Sequence, residues 1–344
     1  MSDDPAELPD DTATRVFARH RELLFSVVYS MTGSVSDTED VLQDTWLAWV
    51  RGGRRQQAAD RDGGDSEDGD GQDAGHPCGY LLRIAVGRAL ARQSETSLSR
   101  AAYVGPWLPE PLVTDPLPQA AEIVAADGVV WPSLPSESSS TALLVVMETL
   151  PPLERAVFVL NEVFGYPHTE IGGILGRHPG VVRQIAHRAR EHVRARRPHY
   201  AADPRTQQQL TERFIAAAMA GDQAALLELL APDVTMWTDG GGRVRSALRP
   251  VTGRERVARF LSGYAASHPL DGLDGLDGLD GLDVRYRPVN GDPSAVVFSG
   301  DSPYAVLVMD LSAPGDQVTG IYLVTNPEKL SRVVRQPGPG EDRH

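Results

Sequence analysis

Apolar residues recur at helical spacing through the first half of the chain. Val16, Leu23, Leu24, Val27 and Val28 form one stripe within residues 12–50. Val41, Leu42, Thr45, Trp46 and Trp49 form a second, with Ser36 or Asp37 placed to cap its helix. Leu82, Ala85, Val86 and Ala89 give the apolar side of a third helix over residues 79–93. Between these, residues 52–77 hold few apolar positions and are expected to form a disordered insertion. Residues 104–141, rich in Pro, Ser and Thr, read as a linker. Helical spacing resumes at Leu143 and runs to about Arg197. After Pro198 two short helices over 206–230 precede alternating strands at Val234–Trp237, Val244–Leu248, Val284–Pro288, Ala295–Phe298, Tyr304–Asp310 and Val318–Val324, with a helix at Val257–Tyr264. The pattern predicts a multidomain chain: two all-α helical domains (12–103 and 142–198), then an α+β cone over 205–331 and a disordered tail at 332–344.

The segment Thr169–Arg197 carries the sharpest local signal. Ile171 and Leu175 are one turn apart, Gly172 is small where backbones must approach, and Gly176 suits a left-handed turn. Pro179 fits the first turn of a new helix, in which Val182, Ile185, Ala189 and Val193 form a buried face. Arg183, His187, Arg190 and Arg194 fall on another face, open to a groove or to phosphates. This is the pattern of a helix-turn-helix. His178 is a weaker helix cap than Ser, and Gly180 lowers helix propensity just inside the second helix.

Charge complicates that reading. The formal net charge is −14, which opposes binding to DNA as a whole. The acid is concentrated in DRDGGDSEDGDGQD (60–73) and in the DGL repeat at 271–283, whereas 177–197 is strongly basic. Local DNA contact is therefore compatible with weak binding by the isolated chain and with dependence on a partner. Cys78 is the only cysteine, which excludes an intrachain disulfide and a multi-cysteine zinc site. No metal or cofactor is expected. The acidic N-terminus lacks an apolar core, and no stretch reaches the ~18 apolar residues of a membrane helix. A cytoplasmic protein without a membrane partner is expected.

Several motifs, in order, resemble a known family. SDTEDVLQDTWLAW (36–49), YLLRIAVGRALAR (80–92), METLPPLERAVF from Met147 and the helix-turn-helix resemble the extracytoplasmic-function (ECF) group of bacterial RNA polymerase sigma factors. WLPEP (107–111), DGGGR (239–243) and NPEKL (326–330) narrow the resemblance to the sigma-J type, which carries a C-terminal SnoaL-like domain of the NTF2 fold.

The resemblance implies a protein that makes no covalent bond, binds core RNA polymerase and directs initiation at specific promoter DNA. The acids Asp37, Glu39, Asp40 and Asp44 are then candidates for core polymerase. Arg83, Arg88 and Arg92 are candidates for the −10 region, near which the 52–77 insertion falls. Arg183, Gln184, His187 and Arg188 are candidates for −35 base edges, and Arg190, Arg194, Arg196 and Arg197 for phosphates. Trp107, Leu108, Pro109, Glu110 and Pro111 are expected to meet Asp239, Gly240, Gly241, Gly242 and Arg243, and Asn326, Pro327, Glu328, Lys329 and Leu330, in a regulatory contact through which the C-terminal domain controls the factor. A small-molecule ligand in that domain is a further possible partner. Two other readings remain open on the residues alone. One is a one-component, ligand-responsive helix-turn-helix regulator. The other is a SnoaL-like isomerase or cyclase using Asp233, Asp239 or His268 as acid or base.

Overall fold

The structure, a computed structural model, describes residues 11–61, 77–113, 123–124, 130–131, 140–195, 203–267, 282–313 and 315–334. Two compact units interleave along the chain. Met1–Leu98, Glu122–Ser133 and Met147–Val193 make one, and Ser99–Ala121, Leu134–Val146 and Arg194–His344 make the other.

The first unit opens with three long helices, α1 (Asp11–Thr32), α2 (Val35–Arg61) and α3 (Pro77–Ala101). Their apolar stripes meet in a core that includes Leu24, Val27, Val28, Leu42, Leu81, Leu82 and Val86, all buried. The expected caps of α2 are displaced. Ser34 fills that role, its hydroxyl accepting from the Asp37 backbone N–H at 3.2 Å, because the helix already begins at Val35. The break expected at residue 52 is also displaced. α2 runs on to Arg61 through Gln56–Ala59, residues that favour helix whether or not they are buried. Most of the acidic run at 60–73 lies outside the described residues, as do Arg196, Arg197, His268, most of the DGL repeat and residues 335–344.

Within the stretch expected to be plain linker, β1 (Ile123–Val124) and β2 (Val130–Trp131) pair antiparallel. Helices α4 (Thr141–Met147), α5 (Pro152–Phe158), which continues into a π-helical turn at Val159–Val163, α6 (His168–Leu175) and α7 (Pro179–Arg194) follow.

The second unit contains α8 (Pro204–Met219), α9 (Gln223–Leu229), β3 (Leu230–Asp239), β4 (Val251–Thr252), α10 (Arg254–Ser267), β5 (Leu282–Val289), β6 (Asp292–Ser299), β7 (Ser302–Leu311), β8 (Val318–Val324) and the short α11 (Pro327–Leu330). The strands form a six-stranded sheet in the order β4-β3-β8-β7-β6-β5. β3 and β8 run parallel and the remaining neighbours antiparallel. The expected α+β arrangement is present, but the strand expected at Val244–Leu248 is not. There the chain turns, the Val244 N–H donating to Gly240 O at 3.1 Å. Ala247 is held by the Thr238 side chain at 2.9 Å in place of a backbone ladder.

Side chains alternate across the sheet with the period of two that a strand imposes. Met236, Ala295, Leu307, Met309 and Ile321 join Phe214, Leu226 and Val257 of the helices in one cluster. Val296, Phe298, Val306, Val308, Tyr322 and Val324 join a different set, Leu108, Ala142, Leu330 and Val333. The second face is thus covered by residues from the expected linker, from the start of α4 and from the C-terminal segment. Among the described residues no helix is long and apolar enough to cross a membrane.

Candidate functional site

Two sites emerge, one on α6–α7 and one where the three short motifs meet. In the first, Ile171 is fully buried. A Cβ added at Gly172 would lie 2.6 Å from Arg177 O, so the small residue admits the turn's backbone. Gly176 adopts φ 62, the left-handed cap expected of it. His178 caps α7 after all: its Nδ1 accepts from the Gly180 N–H at 3.1 Å. Val182, Ile185, Ala186, Ala189 and Val193 are buried along one side of α7.

On the other side Arg183, Gln184, His187, Arg188 and Arg194 are exposed and Arg190 is half-buried. They are not equally available. Arg188 pairs with Glu154 at 3.0 Å and Arg190 with Glu162 at 3.5 Å. Sequence reasoning passed over Val181, which is 44% exposed at the start of α7 beside the polar candidates. Its signal was an apolar residue one position off the buried stripe.

Three of the seven candidates on α2 and α3 pair with one another. Arg92 reaches Asp37 at 2.7 Å and Asp40 at 2.8 Å. Glu39 is paired with Arg21 at 2.7 Å. Asp44, Arg83 and Arg88 are exposed. Three of the four acids therefore take part in holding α2 to its neighbours. Trp49 packs against Tyr80 at 5.8 Å and donates to Ala13 O at 3.2 Å, as part of the helical core.

The second site is built on Asp239, the last residue of β3, whose side chain is fully buried. Its carboxylate accepts from the Tyr103 hydroxyl at 2.6 Å, the Leu108 N–H at 2.8 Å, the Gly241 N–H at 3.1 Å and the Lys329 ammonium at 2.7 Å. Its backbone carbonyl accepts from the N–H groups of Thr325 and Asn326 at 2.8 and 2.9 Å. Turn chemistry at the head of DGGGR accounts for the Gly241 bond alone; the other contacts reach residues of WLPEP and NPEKL and their flanks.

Lys329, the chain's only lysine, also donates to Leu108 O. Its ammonium lies 4.0 Å from the centre of the Trp107 ring and 5.1 Å from that of Tyr103. The Arg100 guanidinium is likewise 4.0 Å from the Trp107 ring centre. An aromatic face attracts cations through its quadrupole, so Trp107 holds both. Burial pushes the Lys329 ammonium below its ordinary value, against the opposing pull of Asp239. Burial, and then the bond to Asp239, push the Tyr103 phenol up.

Asn326 completes the cluster. Its Nδ2 donates to Tyr103 Oη at 2.9 Å and its Oδ1 accepts from Glu328 N at 3.1 Å, capping α11. Gly241, at φ 60, sits against the Asn326 amide, where any Cβ would overlap it. Arg243 and Glu328 make an exposed ion pair outside. Pro109, Pro111 and Leu330 are buried beside the cluster and Glu110 is half-buried. Tyr103 and Arg100 were not among the sequence candidates. They lie just outside WLPEP, and the partners of Tyr103 are 136 and 223 positions away.

Among the described residues, the acid–base candidates Asp233 and Asp239 are not brought together in one site. Asp239 is saturated by its donors, and Asp233 is exposed. Among the described residues no group of His, Cys, Asp and Glu could hold a metal ion.

Comparison with known proteins agrees with this layout. Residues 16–61 match the family model for Sigma-70 region 2, and residues 140–193 that for Sigma-70, region 4. The chain is similar to the ECF RNA polymerase sigma factor SigJ of Mycobacterium tuberculosis, with 35% identity over 253 residues, 72% of this chain and 71% of that one. It is similar to the probable ECF RNA polymerase sigma factor SigI of the same species, with 26% identity over 332 residues, 96% of this chain and 99% of that one. The crystal structure of M. tuberculosis SigJ superimposes with a TM-score of 0.64 at 28% identity, covering 92% of this chain and 98% of the other.

Proposed function

The chain belongs to the family of ECF RNA polymerase sigma factors, and from that premise we propose that its C-terminal domain controls initiation by holding the linker between regions 2 and 4. As a sigma factor it binds core RNA polymerase and directs promoter-specific transcription, and it is not an enzyme. That work places it in the cytoplasm. The observation behind the proposed control is the Asp239–Lys329 pair, which binds the backbone N–H and C=O of Leu108 in the linker. A linker fixed in this way cannot follow a different path on polymerase until those bonds open. Between helices and sheet, Phe214, Leu226 and Met236 belong to one buried apolar cluster. The control runs through the motif cluster, by way of the bonds from Asp239 and Lys329 to Leu108.

For promoter contact we assign Arg183, Gln184 and His187 to −35 base edges, with Val181 beside them to meet a thymine methyl. Arg194 takes a phosphate. Arg188 and Arg190 join only by leaving Glu154 and Glu162. Arg83 and Arg88 are assigned to the −10 side, Asp44 to core polymerase, and Arg92, Asp37, Glu39 and Asp40 to positioning α2 as that contact requires.

Run-off transcription with purified core polymerase tests the control. The full chain, Lys329→Met and a chain ending at Asp203 are compared on a panel of upstream regions. Promoter-specific product is expected from the full chain or the variants. Lys329→Met should change the yield severalfold, in a direction that gives the sign of control. Equal yields from the full chain and Lys329→Met would remove the cluster from regulation. Specific DNA binding without polymerase, and no product from any form, would make the chain a conventional regulator.

A further inference from the structure

The β5–β6 hairpin turns on Asn290 and Gly291, both at positive φ (51 and 81). Two-residue turns of this hand demand Asn or Gly, and either satisfies the backbone. Turn chemistry thus explains why the residue is not Val or Leu; it does not explain Asn over Gly. Hairpin tips also ordinarily face water, yet Asn290 is only 4% exposed.

Two stretches far apart in sequence close over it. On one side is Leu112, just past WLPEP. Its N–H donates to Asn290 Oδ1 at 3.1 Å, the Asn290 N–H donates back to Leu112 O at 2.9 Å, and Val113 bridges antiparallel to Val289. On the other side is Thr141, the first residue of α4. Asn290 Nδ2 donates to Thr141 Oγ1 at 3.0 Å, and Asp292 Oδ2 accepts from the Thr141 N–H at 3.2 Å. Ala142 enters the same apolar cluster as Val289, Phe298 and Val308, and Val145 packs against it. Ser140 through Leu144 are all buried.

One planar amide thus accepts from one strand of chain and donates to the other. Gly would make the turn and keep the backbone bond to Leu112 O, but would lose both side-chain bonds; Asp would accept from the Leu112 N–H but could not donate to Thr141. The segment matching region 4 starts at residue 140. Residues up to Val146 belong to the unit that contains the sheet, and the rest of the match belongs to the other unit.

We propose that the β5–β6 hairpin is a binding site for the start of region 4. It clamps the linker at Leu112 and α4 at Thr141, and it acts separately from the Asp239–Lys329 cluster. The occupant is this chain's own backbone with a hydroxyl side chain at 141. The inference rests on reading residues 140–193 as region 4. It deepens the proposed control: the C-terminal domain has two grips, one on the linker and one on the first helix that follows it.

Hydrogen–deuterium exchange on the full chain tests the second grip. Asn290→Gly keeps the turn and removes the side-chain bonds. It should speed exchange of the Leu112 amide and of residues 141–146 by about tenfold, the scale of one or two lost hydrogen bonds. Residues 325–330, bound at Asp239, should be unchanged. Lys329→Met should do the reverse. Unchanged exchange at 141–146 in Asn290→Gly, or loosening there only in Lys329→Met, would overturn the proposal. If Asn290→Gly loosens all of β5–β8, Thr141→Val decides, because it leaves the turn intact. Faster exchange at 141–146 then supports the clamp, and unchanged exchange refutes it. No polymerase enters the measurement, so its failure is distinct from a failure of the transcriptional reading.

Discussion

Asp239 and Lys329 are each nearly withdrawn from water, at 0% and 7% side-chain exposure. A buried ion pair gives little net stability against an apolar substitute, but removing one partner strands the other as an unpaired charge. Asp239→Ala should therefore destabilise the C-terminal unit by about 3–5 kcal/mol in urea unfolding. The double variant Asp239→Ala, Lys329→Met should recover part of that loss, since no charge is left stranded. It should remain below the wild type, because Tyr103 Oη and Leu108 N also lose their acceptor. An equal loss in single and double variants would show that the pair is not the source. The sequence named both residues through their motifs but gave no means of pairing them. DGGGR and NPEKL are separated by most of a domain, and only the parallel pairing of β3 with β8, which brings Asp239 opposite Val324, sets their ends side by side.

At the scale of elements, the helix-turn-helix was the most legible part of the chain. Its signals are local: Gly176 in a left-handed cap, Pro179 in the first turn, and a buried stripe of Val182, Ile185, Ala189 and Val193. Which arginines are available was not legible, because the carboxylates that hold Arg188 and Arg190 come from α5 and the turn after it. This difference predicts unequal variants. Arg183→Ala should cost about 1–3 kcal/mol of promoter binding by the polymerase complex and relax selectivity at one base pair. Arg188→Ala should cost much less, since its ion pair with Glu154 already competes with DNA. Equal losses in fluorescence-anisotropy titrations at matched salt would refute the ranking. Elements set by side-chain bonds were harder to read. Val244–Leu248 alternates like a strand, yet Thr238 pins Ala247 and the Gly run turns the chain. The Asn290–Gly291 dipeptide, between two alternating stretches, is by contrast a local hairpin signal.

At the scale of the whole molecule, helical domains followed by an α+β domain could be read from the order of periodicities. What could not be read is that the sheet takes cover on both faces. One face meets its own helices, and Leu108 and Ala142 belong to the cluster on the other. Periodicity marks which residues are buried, not which distant segment buries them. A polypeptide of residues 203–344 alone should accordingly expose Phe298, Val306, Val308 and Val324, bind an apolar dye and aggregate. Adding a polypeptide of residues 99–146 should suppress both. A monomeric, dye-silent 203–344 would show that the linker is a passenger on the sheet.

The interleaving of the two units changes what a deletion can teach. Cutting the chain after region 4 does not return a simpler sigma factor that merely lacks the C-terminal domain's control. It also leaves an uncovered seam along Leu108 and Ala142, both buried in the intact protein, and the partly buried Val145 beside them. A gain or loss of transcription on truncation therefore mixes two causes, and single-residue changes at Lys329 or Asn290 are the means of separating them. Any lineage that shed this domain would have had to re-surface the seam in the same steps, so the boundary between genes for such parts cannot be drawn where the sequence motifs end.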